Sequence, residues 1–290
     1  MAARSPARVP ADWPNRAHSR SVRVGALDWH VQVAGRGPGV LLLHGTGSSA
    51  HSWADLIPAL QAQATLIAPD LPGHGFTTGA TPDSLTLPAI ARALEALLGE
   101  LGLGPPSLVV GHSAGAALAL RWAIGAPRRP RALVGFNPSL VPPPALYTLF
   151  AGPLLAPVAT SSFVAKRLAS LGARTRLVGS LLDSTRSALP PAQRARYAAL
   201  LRDPTHVRGA LGFMAAADLP ALARDARGLD LPATFVLGTR DAWIPERPLR
   251  RLLAETLPHA TVMTWEGGHV LHEEHPKRAA ALIRELLARA

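Results

Sequence analysis

Ser107-Leu108-Val109-Val110-Gly111-His112-Ser113-Ala114-Gly115-Ala116 is the stretch on which the reading of this chain turns. The apolar run that ends at Val110 predicts a short buried strand, and Ala116 to Ala123 reads as the start of a helix. Between them stands Gly-x-Ser-x-Gly, the pattern of a sharp strand-to-helix turn that lifts a serine hydroxyl clear of a sheet. Glycines flank Ser113 because a side chain at either place would meet the neighbouring strand or helix, or resist the backbone angles. The competing explanation is a chance Gly/Ser pattern in a chain rich in Ala and Gly. Three further segments weigh against it.

A serine hydroxyl is a weak nucleophile at neutral pH and needs a base within hydrogen-bond reach. His269 is the candidate, in Glu266-Gly267-Gly268-His269, on a loop directly after the expected strand Thr261 to Trp265. The chain has 11 histidines, so it is position after the last strand that singles this one out. A base on a loop needs an acceptor that fixes its tautomer. Asp241, in Gly238-Thr239-Arg240-Asp241-Ala242-Trp243, follows another expected strand; its alternative role is a surface turn or helix cap. Two backbone donors are expected for a tetrahedral oxyanion. They are the N–H of Ala114, after the nucleophile, and the N–H of Thr46, in His44-Gly45-Thr46-Gly47 after the strand Val40 to Leu43. His44, Gly45, His112 and Trp243 are candidate pocket residues, with His44 read chiefly as packing beneath the site. Asp70-Leu71-Pro72-Gly73-His74-Gly75 reads as architecture. His269, His272 and His275 recur every third residue near Glu273 and Glu274, but the spacing is not that of a helical metal motif, and no metal site is expected. With no Gly-x-Gly-x-x-Gly or phosphate-loop motif, no nucleotide or other cofactor is expected either.

The 290 residues suffice for one α/β domain with an insertion, and 48% hydrophobic against 17% charged residues leave material for a sizeable core. The absence of cysteine excludes disulfides, thiolate catalysis and thiolate metal ligands. The net charge of +11 is unevenly placed. Residues 1–23 hold five Arg against one Asp, and residues 166–208 hold eight Arg and one Lys against two Asp, so the rest is neutral. Such segments suit an anionic partner, or reflect an Arg-rich genomic composition. Nucleic acid is not expected, since aromatic residues are 5% and no binding motif is present. The Arg-, Pro- and Ala-rich start lacks the apolar core of a secretory signal, and no apolar run approaches the ~20 residues that span a bilayer. The expectation is a cytoplasmic protein, with peripheral membrane contact open.

Strands alternating with helices predict a mostly parallel, eight-stranded sheet with helices on both faces. An antiparallel hairpin, Ser21 to Val24 and Leu27 to Val33, opens it, with Gly25-Ala26 at the turn. Residues 1–20 are expected to form a flexible basic tail, residues 21–137 and 219–290 the core, and residues 138–218 an inserted helical lid. The lid has two halves. From Ala132 through Ala165 no residue is charged, and Pro138, Pro142, Pro143, Pro144, Pro153 and Pro157 exclude a long regular helix there. From Lys166 the segment is basic. The apolar half either packs on the core or forms a pocket wall or membrane-facing surface beside a basic rim.

His44 to Gly47, Asp70 to Gly75, Gly111 to Gly115, Asp241 and Gly268-His269 together resemble the α/β-hydrolase superfamily over nearly the whole chain. Within it, Trp13-Pro14-Asn15-Arg16, Trp29-His30-Val31-Gln32, His44 to Trp53, Asp70 to Thr77 and Gly111 to Ala116 are similar to the magnesium-chelatase accessory hydrolases of bacteriochlorophyll-making bacteria. That resemblance implies a role in photosynthetic pigment synthesis near the insertion of magnesium into protoporphyrin. Magnesium chelatase subunits then become expected partners, and the inner or photosynthetic membrane the neighbouring surface. It fixes no reaction. A large, flat, apolar, carboxylated porphyrin-like ligand would suit a lid with a charge-free half and an Arg-rich half. Two other readings stay open: a non-catalytic scaffold that binds a porphyrin or the chelatase, and a general lipophilic esterase or carbon–carbon hydrolase. Enzymes of this fold that open epoxides or dehalogenate use an Asp nucleophile, and Ser113 argues against both.

Overall fold

Short, nearly unbroken apolar runs along the central strands build the middle layer of the molecule, seen in a computed structural model that describes residues 9–142, 161–174 and 177–289. The strands are β1 (Ser19–Val24), β2 (Leu27–Gly35), β3 (Gly39–Leu43), β4 (Thr65–Pro69), β5 (Leu108–His112), β6 (Ala132–Phe136), β7 (Ala233–Gly238) and β8 (Thr261–Trp265). They form one sheet in the order β1-β2-β4-β3-β5-β6-β7-β8. β1 and β2 pair antiparallel, β2 meets β4 antiparallel, and all other neighbours are parallel. Parallel strands buried on both faces must be apolar throughout, and β5 and β6 are buried at every position.

Alternate residues feed two cores. Leu41, Leu43, Val109, Leu133 and Phe235 face one side, under α2 (Leu87–Glu100), α3 (Ala114–Gly125), and, after the insertion, the helices Leu219–Ala226 and Glu246–Thr256. Val40, Leu42, Val110, Val134 and Phe136 face the other, under α1 (Leu56–Leu60) and the final helix Pro276–Arg289. α2 starts on Thr86, whose hydroxyl accepts the Ala89 N–H, with Pro88 in the first turn.

Between β6 and β7 lie α4 (Ser162–Arg174), α5 (Leu177–Ser184), α6 (Pro191–Leu201) and α7 (Pro204–Ala216), followed by α8 (Leu219–Ala226). α4 packs on α7 and α5 on α6. α7 crosses the loop after β4 so closely that a Cβ on Gly209 would collide with the Gly73 backbone. The glutamate-led helix Glu246–Thr256 is α9, Leu271–Glu274 is α10 and the closing helix is α11. The proline-rich stretch from Pro143 to Pro157, with its expected irregular course, lies outside the described residues. Among the described residues no helix is long and apolar enough to cross a membrane.

The flexible tail expected over residues 1–20 is corrected from residue 9 onward. Val9 and Trp13 are buried against Leu200 of α6 and Phe76. Arg16 Nε donates to Val9 O and Asn15 Nδ2 to Ala54 O, and Ser19 already belongs to β1. An aromatic side chain with a matching apolar hollow outweighs the Pro/Arg character of its neighbours.

The loop after β4 is fastened by Asp70, fully buried at its start. Its carboxylate meets His30 Nδ1 at 2.8 Å and accepts the N–H groups of Ala50 (2.7 Å) and Phe76 (2.8 Å). Burial alone would raise its pKa, but the neighbouring His30 and the Ala50 N–H reverse that and hold it well below the usual carboxylate range.

Candidate active site

β5 delivers Ser113 into a turn at φ 52°, ψ −120°, a conformation that costs a residue with a β-carbon about 1–3 kcal/mol unless its surroundings impose it. They do. The Ser113 N–H donates to Phe136 O (3.0 Å), and its carbonyl accepts the N–H groups of Ala116 (3.0 Å) and Ser139 (3.1 Å). A Cβ on Gly115 would collide with the carbonyl oxygens of Leu43 and His44, and one on Gly111 with the Ala116 backbone. Ser113 stands at the N-terminus of the twelve-residue α3, where free N–H groups and the helix dipole favour negative charge.

Loops at the carboxyl ends of β5, β7 and β8 bring three side chains together. His269 Nε2 lies 3.0 Å from Ser113 Oγ, and His269 Nδ1 lies 2.8 Å from Asp241 Oδ2. The other Asp241 oxygen accepts the N–H groups of Trp243 (2.8 Å) and Ile244 (3.1 Å). The His269 and Asp241 side chains are 4% and 3% exposed, so their hydrogen bond works in a weakly polar setting. With Nδ1 donating to the carboxylate, Nε2 is left to accept the serine proton.

The backbone carbonyls beside His269 are held by side chains. Asn137, at φ 43° just past β6, donates through Nδ2 to the carbonyls of Gly268 and His269 (both 2.8 Å), and its Oδ1 accepts Gly238 N–H (2.7 Å). This single side chain ties the loop that carries Asp241 to the loop that carries His269. His112 Nε2 donates to His269 O (2.9 Å). Glu274 Oε1 accepts Gly268 N–H (2.6 Å).

The other sequence candidates sit close by. The Ser48 N–H closes the turn Gly45–Ser48, which carries Thr46, on Gly45 O (3.2 Å). Ala114 is the first residue of α3. Gly45 lies against His112, whose Nδ1 a Cβ would crowd at 2.8 Å. Trp243 stacks its ring 5.1 Å from that of His269. His44 is fully buried, donates through Nδ1 to Gly45 O and accepts Leu71 N–H at Nε2, so it ties two loops together rather than facing a pocket. Burial brings its pKa down to about 4. His272 and His275 turn to different partners, Ser52 Oγ and Glu266 O. A separate cavity of about 500 Å³ lies between the loop after β4 and α7, lined by Thr77, Leu85 and Arg208 among others; none of the three converging side chains lines it.

The model of the alpha/beta hydrolase family matches residues 40–282. The chain belongs to that family. Among the relatives of this alpha/beta hydrolase, the magnesium-chelatase 30 kDa subunit of Rhodobacter capsulatus is 36% identical over 97% of this chain and 99% of its own. The pimeloyl-[acyl-carrier protein] methyl ester esterase of Stenotrophomonas maltophilia is 27% identical over 89% and 96%. Among solved structures, potato epoxide hydrolase I has a TM-score of 0.76 at 21% identity, covering 94% of this chain and 99% of its own, a likeness of fold.

Beside the His269 loop this alpha/beta hydrolase buries a second polar group that sequence reading missed. Glu273 Oε1 accepts the hydroxyls of Tyr197 (2.6 Å) and Ser52 (2.8 Å), and Ser48 Oγ donates to Tyr197 OH (3.3 Å). Tyr197 thus links α6 both to the turn that carries Thr46 and to α10. Burial pushes the Glu273 carboxyl up to about 7 against the pull of these two hydrogen bonds. Burial, with His269 nearby, brings His272 down to about 3. Asn137, Glu274 and Tyr197 carry no periodic signal. The only hint was an Asn directly after a buried strand, a place that favours a left-handed backbone.

Proposed function

We propose that the protein is a serine hydrolase acting on an ester-like carbonyl compound, in the service of bacteriochlorophyll synthesis alongside magnesium chelatase. The observation that carries the chemistry is the chain of hydrogen bonds from Asp241 through His269 to Ser113. Ser113 Oγ attacks the carbonyl carbon while its proton passes to His269 Nε2. The carbonyl π electrons move onto oxygen, and the N–H groups of Thr46 and Ala114 hold that oxyanion at the start of α3. Asp241 stabilises the imidazolium. Collapse of the intermediate breaks the bond to the leaving group, which takes the proton from His269. Water, deprotonated by the same imidazole, then releases the acyl group and restores Ser113. Residues 138–218 act as the lid over this site and shape its pocket for an apolar, carboxylated substrate.

The pigment assignment rests on the relative named a magnesium-chelatase subunit, similar over almost the full length of both chains. The same likeness favours a second reading, in which the protein binds the chelatase or a porphyrin without turning over. The esterase relative favours a third, a general carboxylic ester hydrolase.

A fluorophosphonate probe distinguishes these. The first reading expects stoichiometric labelling that is absent in Ser113→Ala, together with failure of Ser113→Ala to restore pigment in a strain that lacks the protein. Restoration by Ser113→Ala overturns the catalytic role in favour of the scaffold. Normal pigment in the deletion strain favours the general esterase.

A further inference from the structure

The backbone carbonyls of Gly268 and His269 are held from the core, by Asn137 and His112, but the next two N–H groups point the other way. His269 N–H donates to Thr185 O at 2.9 Å, and Val270 N–H donates to Ser187 Oγ at 2.8 Å. Both acceptors belong to the turn that joins α5 to α6 in the inserted helices. Glu274 doubles the attachment. Its carboxylate takes Gly268 N–H with one oxygen and Ala188 N–H with the other (3.1 Å), bridging the histidine loop and the turn. Trp243, stacked on the His269 ring, donates its Nε1–H to Ser184 Oγ (3.1 Å).

The turn is shaped for this contact. Arg186 is left-handed at φ 54°, and the turn is closed by Arg186 N–H on Asp183 O (2.9 Å). Thr185 Oγ1 donates to Leu182 O (2.6 Å) and accepts Ser187 N–H (3.2 Å). The approach is so close that a Cβ on Gly268 would collide with the Arg186 carbonyl. Apolar contact surrounds it, with Val270 packed among Val178, Leu182, Leu189 and Tyr197. A loop with two consecutive glycines holds no fixed course by itself. Here two of its backbone hydrogen bonds come from the insert.

We propose that the turn Thr185–Ala188 is a positioning element for His269, so that Ser113 is activated only while the inserted helices are seated on the core. This rests on His269 being the base of the proposed function. Seating the insert aims the imidazole at Ser113. Lifting it frees the His269 and Val270 N–H groups and lets the ring leave the serine. Ser187 is then a positioning residue, remote from the reacting atoms.

The test compares the full-length wild type with Ser187→Ala, Ser187→Thr and Glu274→Gln. Three quantities are read: the rate of fluorophosphonate labelling, kcat and KM on a small activated ester, and amide hydrogen exchange at residues 268–270. A single lost hydrogen bond predicts labelling and kcat about five- to tenfold lower in Ser187→Ala, with KM unchanged. Exchange at His269 and Val270 rises, and Ser187→Thr restores all of it. Glu274→Gln turns an acceptor into a donor facing an N–H, and shows the same pattern should Ser187→Ala fail to fold. Exchange or rate at the wild-type level in the folded variants overturns the proposal. Exchange measured in a Ser113→Ala background reads the positioning even if Ser113 proves not to be the nucleophile, so the two failures are separable.

Discussion

Replacing Asn137 by alanine removes three hydrogen bonds at once and leaves the backbone in a conformation that alanine resists. The Gly238 N–H and the Gly268 carbonyl are buried and lose their one hydrogen-bond partner among the described residues, whereas the His269 carbonyl keeps His112. Two stranded polar groups cost about 1–3 kcal/mol each. The left-handed φ of 43° adds roughly 1–2 kcal/mol for a residue without a side-chain bond to offset it. The expected loss is therefore about 3–8 kcal/mol, a large part of the ~5–15 kcal/mol that holds a domain together. Asn137→Asp keeps the shape but sets a carboxylate oxygen against two carbonyls, so it loses more. Urea unfolding followed by the fluorescence of the six tryptophans measures both, at pH 7.5. Labelling of Ser113 should slow in step, because the two loops are no longer tied. An Asn137→Ala protein within about 1 kcal/mol of wild type would refute the accounting of these backbone groups.

Asp241→Asn keeps acceptors for the Trp243 and Ile244 N–H groups but can present the wrong group to His269 Nδ1. Ester turnover should drop on the order of 10⁴-fold with little change in urea midpoint, and a loss under tenfold would argue against the tautomer role. Acid should destabilise the fold before the carboxylates titrate. His44 and His272, at about 4 and about 3, stay neutral in the folded protein while the unfolded chain takes up protons near pH 6.5. Their contribution is complete above that value and lost as pH falls, about 2 kcal/mol each by pH 5. Glu273 acts in the opposite sense. With a folded value of about 7 against 4.5 unfolded, its contribution is present below pH 4.5 and lost as pH rises through 7. The urea midpoint should fall from pH 7.5 to pH 5 in the wild type, and more steeply in Glu273→Gln; a flat profile contradicts the histidine assignment.

The sheet was legible because buried parallel strands leave unbroken apolar runs such as Val40 to Leu43 and Leu108 to Val110. The elbow was legible because close packing against Leu43 and Ala116 demands glycine at fixed offsets from Ser113. His269 and Asp241 could be selected by place, each just after a strand, and the fold sets them within hydrogen-bond distance of one another and of Ser113. What escaped was the set of polar side chains that serve distant backbone. Asn137, Ser187 and Glu274 bond to N–H and C=O groups, which every residue carries, so no pattern of residue types announces them. Tyr197 and Glu273 stand 76 residues apart and look like ordinary surface choices until burial pairs them. Trp13 was misjudged for the same reason: its neighbours in sequence are Pro and Arg, and its neighbours in space are Phe76 and Leu200.

That last contact orders events during synthesis. Leu200, which closes over Val9 and Trp13, is made roughly 190 residues after them, about 10–40 s at ordinary elongation rates. Until then the indole and the isopropyl group lack the leucine that completes their cover. They form a short greasy handle that a holding factor can grip, and that the finished molecule conceals.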